Sequence, residues 1–336
     1  MLRKKAEDHF RKGESFFLST QFERAKDFFE IALKAYWESG DHSGTAQCLR
    51  QLGRVLELMG NYAKAHTAVQ ESGMLFLLLN DKTGTARCKA SLGSIGWARG
   101  HYEEASKLLG EALSLFKETN DVPGQAWVQD LMGNLHLAQG KDQEAERCHL
   151  LAFSLVESLG LTLENKAWNH YHLGALALFR KDWAQARDLF LEANDLFLRL
   201  KDDLGQVAAL IHLGEIASAG KDYSAAEKYF QKAVQLVVPT QCKPLLADAL
   251  TGVSQLMKGQ GDHRKAIGLL MVALSHPTCR QQTKDRMVSL SEALEARFSP
   301  RELEDGFRWA KPFSLEEMAA SWVSSISAKS KFGKLA

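Results

Sequence analysis

Apolar residues recur at i, i+3, i+4 and i+7 on both sides of short polar breaks, the spacing of helices that each bury one face. One such stretch carries Cys48, Leu49, Leu52, Val55 and Leu56; beyond the next break come Ala65, Ala68, Val69, Ser72, Leu75 and Phe76. The helices therefore come in pairs, and the pairs repeat. The frame is plainest in SLGSIGWARGHYEEA, Ser91 to Ala105: a Gly, a Gly or Lys seven residues on, an aromatic two later and an Ala three later. Its first Gly and its Ala pair as Gly13/Ala25, Gly53/Ala65, Gly93/Ala105, Gly133/Ala145, Gly174/Ala186 and Gly214/Ala226, with Ser254/Ala266 as a seventh. These markers step by 40, 40, 40, 41, 40 and 40 residues, and a period of that size means stacked units rather than one globular core. The expected fold is all-α.

Each marker has a physical reading. Antiparallel helices joined by a short turn approach closely only where side chains are small, which accounts for the Gly and the Ala. The turn aromatics Phe22, Tyr62, Tyr102, Trp183 and Tyr223 are expected to fill the space beside that contact. At the joints, Gly40-Asp41, Asn80-Asp81 and Asn120-Asp121 each set an αL-tolerant residue before a helix-capping Asp, followed three residues later by Gly44, Gly84 or Gly124, a pattern repeated at Asp202 and Gly205. The joint SLGLTLENK before the fifth repeat lacks that Asp and is one residue longer, so a bend is expected between Ser158 and Asn165. The apolar run Met74 to Leu79 is expected to be the buried end of a helix. In the seventh repeat Pro244 opens the first helix and His276-Pro277 closes the second. Three further helices are expected: Gln281 to Phe298, one opened by Ser299-Pro300, and one capped by a Ser314/Glu317 box.

Composition narrows the function classes. With 42 Lys+Arg against 41 Asp+Glu, the chain has no global field for a polyanion, and direct nucleic-acid binding is not expected. Five cysteines without a C-x-x-C pair fit a reducing compartment, and no stretch approaches the 18 or so apolar residues of a membrane span, so a cytoplasmic protein without membrane contact is expected. Cys48 and Cys88 occupy equivalent positions of neighbouring repeats, too far apart for a disulfide, and read as small core residues. No phosphate loop, HExxH or GxSxG motif is present, and no cofactor is implied. The best metal candidates are His170 and His172, with His212 at the position equivalent to His172 in the next repeat and His136 in the previous repeat. His170 and His172 point apart on a helix and cannot chelate together, so buried or interfacial histidines and no metal are expected.

The motif LeuGly92-93, Gly100, Tyr102, Ala105 and AlaLeu112-113 resembles the tetratricopeptide repeat, and the 40-residue step with its DxxGxA joint resembles the longer variety of kinesin light chains and bacterial maltose-activator-type regulators. Residues 296–318, ARFSPRELEDGFRWAKPFSLEEM, resemble the segment closing the repeat arms of bacterial LuxR-type signal-transduction ATPases, with Lys311-Pro312 in place of the usual Gly-Arg. The resemblance implies a right-handed α-solenoid of about seven helix pairs over residues 1–276, a helical cap over 277–328 and a mobile tail over 329–336. It implies no enzyme but a scaffold in bacterial signalling, its groove lined by the first helix of each repeat. Carried onto this sequence, the groove positions are Gln47, Arg50, Arg54 and Glu57; Arg87, Ala90, Ser94 and Trp97; Trp127, Asp130, Asn134 and Leu137; and Trp168, Tyr171, Ala175 and Leu178. Arg50 and Arg54 share a helix face and with Arg87 would grip a carboxylate, while Trp97, Trp127, Trp168 and Tyr171 would anchor a peptide or protein partner. In the opposing reading the aromatics pack between repeats and the arginines pair with Glu57 or Asp130. The seventh-repeat equivalents Asp248, Thr251, Gln255 and Lys258 are expected to face solvent. Two alternatives in function are a regulatory arm that senses a small anionic effector and an enzyme whose site the sequence does not reveal; dimerisation through exposed apolar residues near Trp309 or Trp322 is a further option.

Overall fold

The computed structural model describes residues 2–158, 160, 162–285, 288 and 299–332. They form two compact units, Met1–Ala186 and Arg187–Ala336. In the first unit lie α1 (Leu2–Leu18), α2 (Phe22–Glu38), α3 (His42–Leu58), α4 (Tyr62–Leu78), α5 (Lys82–Ala98), α6 (Tyr102–Glu118), α7 (Val122–Ala138), α8 (Asp142–Glu157) and α9 (Leu163–Phe179). Helix α10 (Trp183–Leu200) carries the chain from one unit into the other. The second unit holds α11 (Asp203–Ala219), α12 (Tyr223–Val237), α13 (Lys243–Gly259), α14 (His263–Ser275), α15 (Pro300–Ala310) and α16 (Leu315–Phe332). Helices pack as consecutive pairs, α1 on α2 through α7 on α8 and again α11 on α12 and α13 on α14, and the described residues contain no strand. The all-α fold of paired helices expected from the sequence is the fold observed.

The frame residues do distinct jobs. The residue seven after each marker makes the left-handed turn between paired helices: Gly60 (φ 79°), Gly100 (φ 81°), Gly140 (φ 72°), Lys181 (φ 62°), Lys221 (φ 61°) and Gly261 (φ 85°). The marker glycine admits the side chain sixteen residues later. A Cβ at Gly13 would lie 2.7 Å from Phe29, at Gly53 2.3 Å from Val69, at Gly93 2.8 Å from Leu109 and at Gly214 2.7 Å from Phe230. The joints form a second module. Asp41, Asp81, Asp121 and Asp202 accept the backbone N–H of Gly44, Gly84, Gly124 and Gly205 at 2.8–2.9 Å. A Cβ on those glycines would sit 2.3–2.5 Å from Tyr36, Phe76, Phe116 and Phe197 of the preceding helix. The cap sets the helix start, and the missing side chain lets an aromatic close the joint. Gly40, Asn80 and Asn120 just before the caps adopt the expected positive φ. At the irregular joint Thr162 replaces the Asp and accepts from Asn165 at 3.3 Å; Leu159 and Leu161, in the expected bend, lie outside the described residues.

Several expectations are corrected by burial. The run Met74 to Leu79 buries Phe76 under the Gly84 joint but exposes Met74, Leu77, Leu78 and Leu79, because the helix needs only one apolar face there. Trp183 is exposed at its turn, unlike buried Phe22 and Tyr62. Asp248 and Thr251 are buried rather than solvent-facing: the Asp248 carboxylate takes hydrogen bonds from Arg280 and Thr283, and Thr251 is fully covered. Trp322 is buried and Trp309 packs over Gly268, where a Cβ would approach its ring to 2.4 Å, while Phe307 beside Trp309 is exposed. Of the expected Gln281–Phe298 helix, residues 281–285 are helical and most of the rest lies outside the described residues. Pro300 opens α15, and Ser314 with Glu317 forms the capping box: Ser314 N–H donates to Glu317 Oε2 at 2.8 Å and Glu317 N–H to Ser314 Oγ at 3.2 Å. Helix α16 runs on to Phe332, and residues 333–336 of the expected tail lie outside the described residues.

Candidate functional site

The first helices of successive repeats touch one another, α3 on α5 and α5 on α7, so positions at one register form a row. At one end the row is cationic. Arg50 and Arg54, one turn apart on α3, are half-buried, and Arg87 of α5 stands close enough for its charge to bear on both. Burial first, then the neighbouring Arg54 and Arg87 charges, push the Arg50 guanidinium down to about 10, which leaves it cationic at neutral pH. The Arg54 guanidinium lies 4.8 Å over the Phe17 ring and donates to Gln51 Oε1 at 3.1 Å, which fixes its plane. Arg87 reaches Asp121 at 3.5 Å, a long contact for an exposed pair. Among the described residues no carboxylate lies within ion-pair distance of Arg50.

Glu57, one turn past Arg54, accepts the Ser94 hydroxyl at 2.6 Å. Burial raises its carboxyl to about 7, against the lowering effects of the Ser94 hydrogen bond and the Arg54 charge. A carboxyl raised above its unfolded value of 4.5 stays protonated in the fold while the unfolded chain ionises, so stability falls as pH rises from about 4.5 to about 7 and levels off above. Glu57→Gln, which keeps an acceptor for Ser94, is expected to flatten that segment of the stability profile. Urea midpoints of the two proteins at about pH 5 and about pH 8 check it; parallel profiles would remove Glu57 as the cause.

Farther along the row the aromatics separate. Trp97 packs, half-buried, against the core formed by Ala90, Leu109, Phe116 and Leu135. Trp127 is 37% exposed on α7. On α9, Trp168 and Tyr171 meet edge to face at 5.5 Å between ring centres, both half-buried. Asn134 and Leu137 are half-buried on α7. Asp130 turns to two histidines: His149 Nδ1 of α8 lies 3.3 Å from Oδ1 and His172 Nε2 of α9 3.8 Å from Oδ2. The two imidazoles stack at 4.6 Å and 11°. His172 therefore converges with His149 and Asp130, not with His170, His136 or His212. His149 was not singled out from the sequence, although a signal exists: it holds the position sixteen residues after the marker, where the other repeats carry Phe29, Val69, Leu109, Phe190, Phe230 and Leu270.

Among the described residues no helix is long and apolar enough to cross a membrane. No curated protein matches the chain. Solved structures do. The Rap conjugation gene regulator of plasmid pLS20, in complex with the Phr* peptide, is 13% identical with a TM-score of 0.65 over 86% of this chain and 76% of that one. A Rap protein complexed with competence and sporulation factor is 11% identical with a TM-score of 0.59 over 95% and 99%. Aspartyl phosphate phosphatase F from Bacillus subtilis is 18% identical with a TM-score of 0.59 over 70% of this chain, which spans 61% of the phosphatase. These likenesses, all at low identity, are likenesses of fold. A tetratricopeptide repeat family model matches residues 6–72, 84–158 and 163–237, well over half of the chain. Together with the glycine frame and the paired helices, that match places the chain in the tetratricopeptide repeat family.

Proposed function

We propose that the chain is a non-enzymatic binding module of a cytoplasmic signalling assembly, and that the first-helix row of its N-terminal unit takes a peptide or protein segment bearing a carboxylate. In this reading residues 1–276 form the repeat array, 277–328 its cap and 329–336 a mobile tail. Arg50 carries the proposal: a half-buried cation flanked by Arg54 and Arg87, with no carboxylate of its own within ion-pair distance among the described residues. Charge held out of bulk water without a partner is costly, and an incoming carboxylate relieves that cost while two guanidinium planes fix its orientation. Trp127, Trp168 and Tyr171 supply apolar area farther along, with Asn134 to pair with a peptide backbone. The Rap regulator of plasmid pLS20, which shares this fold and was solved in complex with the Phr* peptide, favours a peptide as the occupant. A small anionic effector is the second reading, favoured by the same three cations.

The test captures partners from a cytoplasmic extract on the wild-type chain and on an Arg50→Glu/Arg54→Glu/Trp127→Ala variant shown by circular dichroism to be equally folded. A protein recovered only with the wild type, whose acidic segment as a synthetic peptide binds the variant at least about tenfold more weakly, is the expected result. Equal recoveries would remove the row as the binding face. A saturable thermal shift with citrate or phosphate, without peptide binding, would favour the effector reading.

A further inference from the structure

We infer that Asp130, His149 and His172 form a binding site for a divalent transition-metal ion of the zinc class, one that ties the α7–α8 pair to α9 across the irregular joint. One ligand atom from each of the three residues lies within 4.8 Å of the others. The edge of a tetrahedron with metal–donor bonds of about 2.0–2.2 Å is ~3.4 Å, so the set closes on an ion when side-chain rotations tilt the two stacked rings out of parallel. Two imidazole nitrogens and a carboxylate oxygen are a donor set suited to zinc, and three protein ligands leave a fourth position open. Asp130 keeps 32% of its side chain exposed, which gives an ion a path to the histidines.

The repeat itself shows that an imidazole at position 149 is not needed for packing. At the position of His149 every other repeat buries an apolar side chain, and the equivalent of the His149–His172 stack one repeat later is Phe190 on His212 at 4.7 Å. The ring stack thus belongs to the architecture, and the fourth repeat replaces its hydrocarbon ring with imidazole. His149 is 1% exposed and His172 7%, and Gly133 clears the space, since a Cβ there would fall 2.4 Å from the His149 ring. Burying two imidazoles, one of them where other repeats place phenylalanine, valine or leucine, is costly unless their nitrogens are engaged. They are barely engaged. Nε2 of His149 and Nδ1 of His172 have no hydrogen-bond partner, and the 3.8 Å between His172 Nε2 and Asp130 is too long for a hydrogen bond. His172 is therefore a buried imidazole without a hydrogen bond, with its Nε2 3.8 Å from the carboxylate and its ring stacked on His149.

The location gives the ion a role. Asp130 and His149 belong to one helix pair and His172 to the next, and the connection between them is the one joint of the N-terminal unit without the capping Asp and its glycine. A bound ion replaces the missing cap–aromatic module as the tie between neighbours.

The test uses the full chain freed of metal with a chelator. Zinc chloride is titrated by calorimetry and in thermal melts against the wild type, His149→Phe and His172→Gln. His149→Phe restores the residue type of the other repeats and is expected to fold without metal. The expected result is one zinc ion per chain and a rise in melting temperature for the wild type, with affinity at least tenfold weaker in both variants. Zinc should also slow amide exchange in the first half of α9 in the wild type alone. Cobalt(II) in place of zinc is expected to give visible ligand-field bands without a thiolate charge-transfer band. Equal zinc affinity in the wild type and His149→Phe, absence of any zinc uptake, or a thiolate band implicating neighbouring Cys148 would each overturn the assignment.

Discussion

Phe116→Ala is expected to lower the unfolding free energy by about 3–5 kcal/mol. Phe116 is wholly buried at the end of α6, in a core with Leu109, Val128 and Leu135, and its ring fills the space that Gly124 leaves at the start of α7. Its carbonyl receives Asp121 N–H at 2.9 Å, while Asp121 caps α7 through Gly124 N–H at 2.9 Å, so the ring, the turn and the cap are one unit of structure. Truncation removes the ring and leaves a cavity at a joint held from both sides. The reverse perturbation acts on the same space: Gly124→Ala sets a methyl 2.5 Å from two Phe116 ring carbons and is expected to cost about 1–3 kcal/mol by overpacking. In the double variant the methyl enters the cavity, so the combined loss should fall short of the sum by about 1 kcal/mol or more. Because repeats stack through nearest neighbours, amide exchange should accelerate first in α6 and α7. Urea unfolding of the four proteins decides it; additive losses would mean that ring and glycine do not share that space.

The fold was legible because its determinants are local and periodic. A glycine every 40 residues, an αL residue before each capping Asp and alternating apolar faces all act within a helix or a turn, and the sequence displays them directly. What the glycines face was harder to read, since Gly53 with Val69 and Gly84 with Phe76 are pairings between helices. The exposure of Met74, Leu77 and Leu78 could not be read from apolarity, because hydrophobicity states what burial would gain and not whether a neighbour is available. The site was legible by halves. Register on the first helices put Arg50, Arg54 and Arg87 together, and their charges do act on one another. The histidine cluster was missed because its members come from three helices, with His149 on a second helix that a scan of first-helix positions never visits. The signal that finds it is a polar residue in a column otherwise filled by Phe, Val and Leu.

The same column logic misjudged Asp248, and the consequence is large enough to measure. By register it is a groove position with polar company, yet it is 5% exposed, and its carboxylate binds the Arg280 guanidinium through one oxygen and the Thr283 hydroxyl through the other. Both partners lie beyond α14, so the carboxylate on α13 pins the chain that leaves the last repeat. Asp248→Ala is expected to cost about 3 kcal/mol, mostly by leaving Arg280 without its carboxylate. The Arg280 side chain keeps 26% exposure, so water offsets part of the loss. If that explanation holds, Asp248→Ala/Arg280→Met should recover much of the stability, because the buried pair is then replaced as a whole rather than broken. Asp248→Asn, which still accepts from Thr283, should fall between Asp248→Ala and the wild type. Urea unfolding ranks the three variants, and amide exchange over residues 278–285 reports whether the segment has come loose. A cost for Asp248→Ala below about 0.5 kcal/mol, the range of an ordinary surface change, would mean that the carboxylate is no anchor, and a double variant no better than the single would shift the cause from charge to packing.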